Sequence, residues 1–131
     1  MSQSPKRDSP TRILLVEDDP QDVMLIQKTL KAEMDCRITV AFTQAVFEKE
    51  LARELPDIII SDSSVRAFDG LTALKVARRK CPEIPFVFCT GNLTEAKQKE
   101  AFAMGATNCV SKDNCFAQLA RVVKRLGGSG H

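Results

Sequence analysis

Short apolar runs alternate along the chain with stretches in which apolar residues recur every three or four positions. The runs are rich in β-prone residues and bounded by proline, glycine or polar residues, which predicts five strands. The predicted strands are residues 13–16, 37–42, 56–62, 86–90 and 109–111. Three consecutive isoleucines lie in the third run, and such a continuous apolar run is typical of a strand buried on both faces.

Helix signals fill the stretches between these runs. In the first stretch, Asp19 suits an N-cap, Pro20 the first helical position and Asp22 the third. An apolar stripe follows at helical spacing and indicates a helix that covers a sheet. This stripe comprises Val23, Ile26 and Leu30.

The second helix has a predicted N-cap, an apolar stripe and a proline that ends it. We expect Thr43 to cap it and Pro56 to end it, because the residue before a proline disfavours helical backbone. Its predicted buried stripe is Phe47, Leu51 and Leu55.

Three further helices are predicted in the second half of the chain. A loop over residues 63–69, closed by Gly70, precedes a helix at 71–80. Thr94 begins the fourth helix, which ends at Gly105, and Asn114 caps the fifth.

Five strand–helix units in alternation predict an α/β fold with a doubly wound parallel sheet. We expect a flavodoxin-like (βα)5 arrangement with strand order 2-1-3-4-5 and helices on both faces. Residues 11–126 form the predicted domain, residues 1–10 a polar disordered tail, and residues 127–131 a flexible tail.

Composition excludes several classes of function. The 131 residues have a net charge of +2 and no tryptophan or tyrosine, which argues against direct nucleic-acid binding. No apolar run is long enough to cross a bilayer, so no membrane partner is expected. The five cysteines include no Cys-x-x-Cys pair, which favours reduced thiols and a cytoplasmic location. Cys89 and Cys109 lie in apolar runs and are predicted core residues.

The only histidine is His131, the last residue. This excludes catalytic triads that use an internal histidine, and any zinc site of the Cys/His type. Carboxylates therefore have to carry any chemistry.

Polar residues follow four of the predicted strands, at the edge where parallel strands bind ligands. They are Glu17, Asp18, Asp62, Thr90 and Lys112. Three carboxylates placed together repel one another unless a cation intervenes. An oxygen-only donor set without cysteine or histidine favours a hard cation, and Mg²⁺ suits one or two carboxylates with a carbonyl and waters.

Each residue also has a structural interpretation. The acids after the first strand favour a helix N-terminus, and a lone Asp62 suits a turn. Thr90 can be a simple strand end and Lys112 a surface lysine.

The chain resembles the receiver domains of two-component response regulators. The matching motifs are Val16-Glu17-Asp18-Asp19-Pro20, Pro56-Asp57-Ile58-Ile59-Ile60-Ser61-Asp62, Asp69-Gly70, Thr90-Gly91 and Lys112. The resemblance covers residues 11–126, and its strength is that five motifs follow one another at the ends of the appropriate strands.

The resemblance implies a phosphoacceptor, Asp62, that receives phosphate from a histidine kinase or a phosphotransfer protein. It also implies that Asp18 binds Mg²⁺ directly, Glu17 through water, and Ser64 through its backbone carbonyl. Asp62 completes this ligand set.

Lys112 would pair with one phosphoryl oxygen, and Thr90 would hydrogen-bond another as the switch residue. We expect Ser64 and Asn92 to flank the path of the attacking water and to set the lifetime of the acyl phosphate.

The sequence departs from the family pattern at three positions. Cys109 stands at a switch position usually held by an aromatic residue, so the route of signal propagation differs. Asp113 replaces a proline that often follows the lysine, so a trans peptide is expected there. Arg66 replaces a loop proline.

Three alternative functions fit the residues less well. A Mg²⁺-dependent phosphatase with an aspartyl intermediate commonly needs a second acid where Ser64 stands. A flavin or nucleotide module needs a glycine-rich loop after the first strand, where the acids would repel a phosphate. A receiver-like module that binds partners without phosphorylation is disfavoured because all five chemical positions are filled.

Overall fold

The computed structural model describes residues 10–62, 64–65, 68–91, 93–112 and 115–128, and within these it leaves the side chains of 64–65, 68–70, 115–116 and 127–128 undescribed. Strands and helices alternate along the chain. The elements are β1 (Thr11–Val16), α1 (Pro20–Glu33), β2 (Cys36–Ala41), α2 (Gln44–Arg53), β3 (Ile58–Ser61), β4 (Ser64–Val65), β5 (Phe68–Asp69), α3 (Gly70–Lys80), β6 (Phe86–Thr90), α4 (Glu95–Ala103), β7 (Asn108–Ser111), α5 (Cys115–Val123) and a π-helical turn (Lys124–Gly128).

The main sheet has five parallel strands in the order β2-β1-β3-β6-β7. Numbered by their order in the chain, these strands follow the predicted order 2-1-3-4-5, which confirms the doubly wound fold. The register pairs Val16 with Ser61 and Ser61 with Phe88. The carboxyl ends of β1 and β3 therefore meet at the centre of one edge.

Both faces of the sheet are covered, because two separate apolar clusters pack on it. In β3, Ile59 belongs to the cluster that includes Phe47 of α2, whereas Ile58 and Ile60 belong to the cluster that includes Ile26 of α1. All three isoleucines are inaccessible to solvent. This confirms the prediction that the central strand is buried on both faces.

Helix boundaries follow the predicted capping residues. The side chains of Asp19, Thr43 and Thr94 accept hydrogen bonds from backbone N–H groups in the first turns of α1, α2 and α4. Gly105 lies just past α4 with φ of +106°, a backbone conformation that favours glycine.

Two predictions about local structure were wrong. Leu55 lies beyond α2, which ends at Arg53, and 46% of Leu55 is exposed. The cause is Pro56, which already disfavours helical backbone at the preceding residue. The predicted loop at residues 63–69 contains a small antiparallel ribbon, in which β4 pairs with β5.

Cysteine burial matches the prediction only in part. Cys89 is buried in the core, whereas Cys109 is partly buried and packs at the margin of one cluster.

The N-terminal residues 1–9, Asn114, the peptide before Asp113 and residues 129–131 lie outside the described residues. In the part of the chain that the structure describes, no helix combines the length and apolarity required to span a bilayer.

Leu51, in the last turn of α2, and Leu55, just beyond the helix, provide a matched test of the fold. Leu51 is 4% exposed, whereas Leu55 is 46% exposed. We expect Leu51→Ala to lower the free energy of unfolding by about 2–4 kcal/mol, because it opens a cavity in the core. Leu55→Ala should cost less than about 1 kcal/mol. Chemical denaturation of both variants measures the difference, and equal losses would contradict the end of α2 at Arg53.

Candidate functional site

The ends of four parallel strands bring the predicted residues to one rim of the sheet. The backbone N–H of Asp62 donates to the carbonyl of Val16 at 3.0 Å, and the N–H of Lys112 donates to the carbonyl of Thr90 at 2.8 Å. These bonds continue the parallel pairing one residue past the strands, so they fix where Asp62 and Lys112 leave the sheet.

The Lys112 ammonium is the centre of the rim. Its Nζ atom lies 2.5 Å from Asp22 Oδ2, 2.9 Å from Glu17 Oε1 and 3.2 Å from Asp62 Oδ2. Only 15% of the Lys112 side chain is exposed. A partly buried cation thus joins carboxylates from β1, α1 and β3 that would otherwise repel one another.

Burial and charge act in opposite directions on these groups. Glu17 is only 1% exposed. Burial raises the pKa of its carboxyl, the nearby charge of Asp62 adds to the rise, and the hydrogen bond from Lys112 partly offsets it.

Burial alone would lower the pKa of the Lys112 ammonium, but hydrogen bonds to Asp22 and Glu17, and the charges of Glu17 and Asp62, outweigh burial and raise the pKa. Lys112 therefore stays positively charged throughout the physiological pH range.

Glu17 is held at both carboxylate oxygens. Oε1 accepts from Lys112, and Oε2 accepts from the backbone N–H of Asp19 at 3.2 Å. The charge of Glu17 is therefore fixed in place under the rim, with Asp18 next to it and less buried.

An open cavity of about 390 Å³ lies over this rim. Its lining supplies carboxylate oxygens and one ammonium. The lining residues are Glu17, Asp18, Asp19, Pro20, Asp22, Asp62 and Lys112.

Such an oxygen donor set fits a hard cation such as Mg²⁺. Within the described residues, no group of three or more histidine, cysteine or acidic side chains is arranged to hold a metal ion by itself. A Mg²⁺ site of one or two carboxylates, a carbonyl and waters does not require three.

Thr90 and Gly91 lie beside the lysine. Thr90 is 4% exposed. A Cβ added to Gly91 would come no closer than 3.9 Å to Cβ and Cδ of Lys112. Thr90 is therefore enclosed, whereas the backbone after it leaves space next to the lysine.

Cys109 lies on β7, three residues before Lys112. It packs against the apolar cluster that contains Phe88, and burial raises the pKa of its thiol. A raised thiol pKa disfavours the reactive thiolate, so Cys109 has the environment of a small packing residue.

Two predicted site residues are described incompletely. Ser64 belongs to β4, where it pairs with Asp69, but its side chain is outside the described residues. Asn92 is outside them altogether, as is Arg66.

Sequence reasoning missed the role of Asp22 at this rim. Its position near the start of α1 was attributed only to a preference for acids at helix N-termini. The available signal was position, because Asp22 lies in the first turn of a helix that starts directly after the acids at the end of β1.

Comparisons with known proteins identify the family of this chain. Residues 13–124 match the family model described as the response regulator receiver domain. A protein-glutamate methylesterase/protein-glutamine glutaminase from Methanosarcina mazei is 30% identical over 121 residues, which cover 91% of this chain and 34% of the relative. The chain thus spans about a third of the length of this relative.

Two solved structures show the same fold. One is the receiver domain of sensor histidine kinase PA1611 from Pseudomonas aeruginosa, with a magnesium ion coordinated in its active site cleft; its TM-score is 0.80 at 24% identity, over 92% of this chain and 100% of that chain. The other is the Mn²⁺-bound response regulator Rcp1, with a TM-score of 0.80 at 20% identity, over 93% and 98% of the two chains.

The family match spans most of the chain. The chain belongs to the response regulator receiver domain family of two-component signalling.

Proposed function

We propose that Asp62 accepts a phosphoryl group from a phosphohistidine on a histidine kinase or a phosphotransfer protein. The observation that supports this most directly is the Lys112 ammonium, which lies 3.2 Å from Asp62 Oδ2 and is held by two further acids. A fixed cation beside a carboxylate is suited to stabilise the charge that develops when that carboxylate takes up phosphate.

Mg²⁺ is the cofactor of this proposal. Asp18, Asp62 and the backbone carbonyl of Ser64 would hold it, with Glu17 acting through water. When bound, the ion neutralises negative charge on the phosphoryl oxygens during transfer.

The transfer itself exchanges one bond for another. An oxygen of Asp62 forms a bond to phosphorus while the P–N bond to the partner's histidine breaks, and the electron pair of that bond returns to the imidazole nitrogen. The positive charge of Lys112 offsets part of the negative charge on the transferred group, and the space beside Gly91 would admit the donor. The result is an acyl phosphate on Asp62.

The switch step follows from the new charge. Thr90 is enclosed at the end of β6 and would hydrogen-bond a phosphoryl oxygen, drawing the following loop towards Asp62. Cys109 stands at the switch position usually held by an aromatic residue, and its side chain is too small to take over the rotation of such a residue. The change would therefore leave the site through the loop after β6 and the neighbouring face of α4.

Phosphorylation of Asp62 can be tested by mass. We expect one added phosphate when the protein is incubated with a small acyl phosphate donor and Mg²⁺, and none in Asp62→Asn, because the amide cannot form the acyl phosphate. Intact-mass spectrometry measures this, with Asp57→Asn as a matched control on the opposite edge of the sheet. Sustained turnover of a phosphomonoester would instead support the phosphatase.

Lys112 is expected to act after metal binding. Lys112→Ala should retain Mg²⁺ binding and lose most of the conformational response to phosphorylation, since no ammonium remains to hold the phosphoryl group. NMR chemical shifts in α4 measure the response. Lys124→Ala removes an exposed cation paired with Glu33 at 3.7 Å and should leave it intact. A full response in Lys112→Ala would contradict the proposed role.

Ser64 and Asn92 are expected to set the lifetime of the acyl phosphate. Replacing either with Ala should change the rate of dephosphorylation several-fold without changing the amount of phosphate taken up, because these residues would flank the attacking water. Decay of the phosphorylated mass measures the rate. Unchanged rates in both variants would exclude this assignment.

A further inference from the structure

Asp22 makes the shortest contact of the Lys112 ammonium. Its Oδ2 atom lies 2.5 Å from Nζ, compared with 3.2 Å for Asp62. The Asp22 side chain is 23% exposed and stands in the first turn of α1. Asp22 is neither the proposed acceptor nor a proposed metal ligand.

The ammonium has no spare donor for a phosphoryl group. A lysine has three N–H bonds, and Glu17, Asp22 and Asp62 all lie within hydrogen-bonding distance of Nζ. The oxygens of a phosphoryl group on Asp62 therefore compete with Glu17 and Asp22 for the N–H bonds of Lys112.

Of the two acids that keep their charge when Asp62 is phosphorylated, Asp22 gives up the ammonium at the lower cost. Glu17 is almost completely buried, and its carboxylate needs the ammonium because an unpaired buried charge is unfavourable. Asp22 is more exposed, and the positive end of the α1 dipole stabilises its carboxylate when the lysine is withdrawn.

The negative charge of Asp22 also acts on the binding of phosphate. A phosphoryl group brings up to two negative charges to a site where Asp22 already shares one ammonium with Asp62. The Asp22 carboxylate attracts a cation at this rim and repels an anion. It should therefore have opposite effects on the binding of Mg²⁺ and of phosphate.

We infer that Asp22 is a positioning residue that holds Lys112 in the unphosphorylated protein and competes with the phosphoryl group for it. This inference rests on the proposed function of Asp62. On phosphorylation the ammonium moves from Asp22 to a phosphoryl oxygen. Asp22 therefore sets the balance between the contacts of Lys112 in the unphosphorylated and the phosphorylated protein.

The test measures two binding constants with different probes. Isothermal titration calorimetry gives the affinity for Mg²⁺ alone, and fluorine NMR gives the affinity for beryllofluoride, a phosphoryl mimic, at saturating Mg²⁺. We expect Asp22→Asn to bind beryllofluoride about tenfold more tightly, a change of about 1.4 kcal/mol, and Mg²⁺ about threefold more weakly. Asp22→Glu should remain within about threefold of the parent protein, because the carboxylate is kept.

A matched control separates local from overall charge. Glu33→Gln makes the same charge change at the other end of α1, where Glu33 is half exposed, and should alter neither constant. Asp22→Ala serves as a second variant if Asp22→Asn is poorly folded.

The outcomes distinguish the two proposals. If the parent protein binds no beryllofluoride, the proposed function of Asp62 fails. If the parent binds it and both Asp22→Asn and Asp22→Ala bind it equally or more weakly, the inference about Asp22 is wrong. Weaker binding of both probes would indicate a merely structural role and would also overturn it.

Discussion

The rim depends on one partly buried ammonium surrounded by carboxylates. Lys112 lies within hydrogen-bonding distance of Glu17, Asp22 and Asp62. Without it, the almost fully buried charge of Glu17 would face the like charges of Asp22 and Asp62 with no counter-ion, which is unfavourable. The sheet holds the acids and the lysine in place, because the backbone N–H groups of Asp62 and Lys112 are bonded to the neighbouring strands. In the proposed function, the same cation exchanges one of these contacts for a phosphoryl oxygen.

The fold was predictable because most of its elements carry strong local signals. The capping residues Asp19, Thr43 and Thr94 mark the starts of three helices, and the apolar run of β3 predicts a strand between two layers of helices. Because strands and helices alternate and crossovers are right-handed, only a few strand orders are possible for the sheet. The error at Leu55 arose from extending a helical stripe up to a proline whose effect begins one residue earlier.

The sequence predicted most residues of the candidate site but not which side chains contact one another. Chain order and sheet topology place Glu17, Asp62 and Lys112 at one edge, since parallel strands share their direction. The sequence does not show which acid approaches the ammonium most closely, because that depends on side-chain rotamers and on where the first turn of α1 stands relative to β7. Asp22 was missed for this reason, and the small ribbon of β4 and β5 was missed because two-residue strands have no periodicity.

The separation of the partners along the chain has a consequence for biosynthesis. Lys112 follows Glu17 by 95 residues and Asp22 by 90. As the polypeptide emerges from the ribosome, the acids appear first and remain without their counter-ion until β7 has been made. Mutual repulsion among these acids opposes early closure of the rim, and the arrival of the lysine removes it. The nascent domain therefore completes this rim of acids and lysine only when β7 docks on β6.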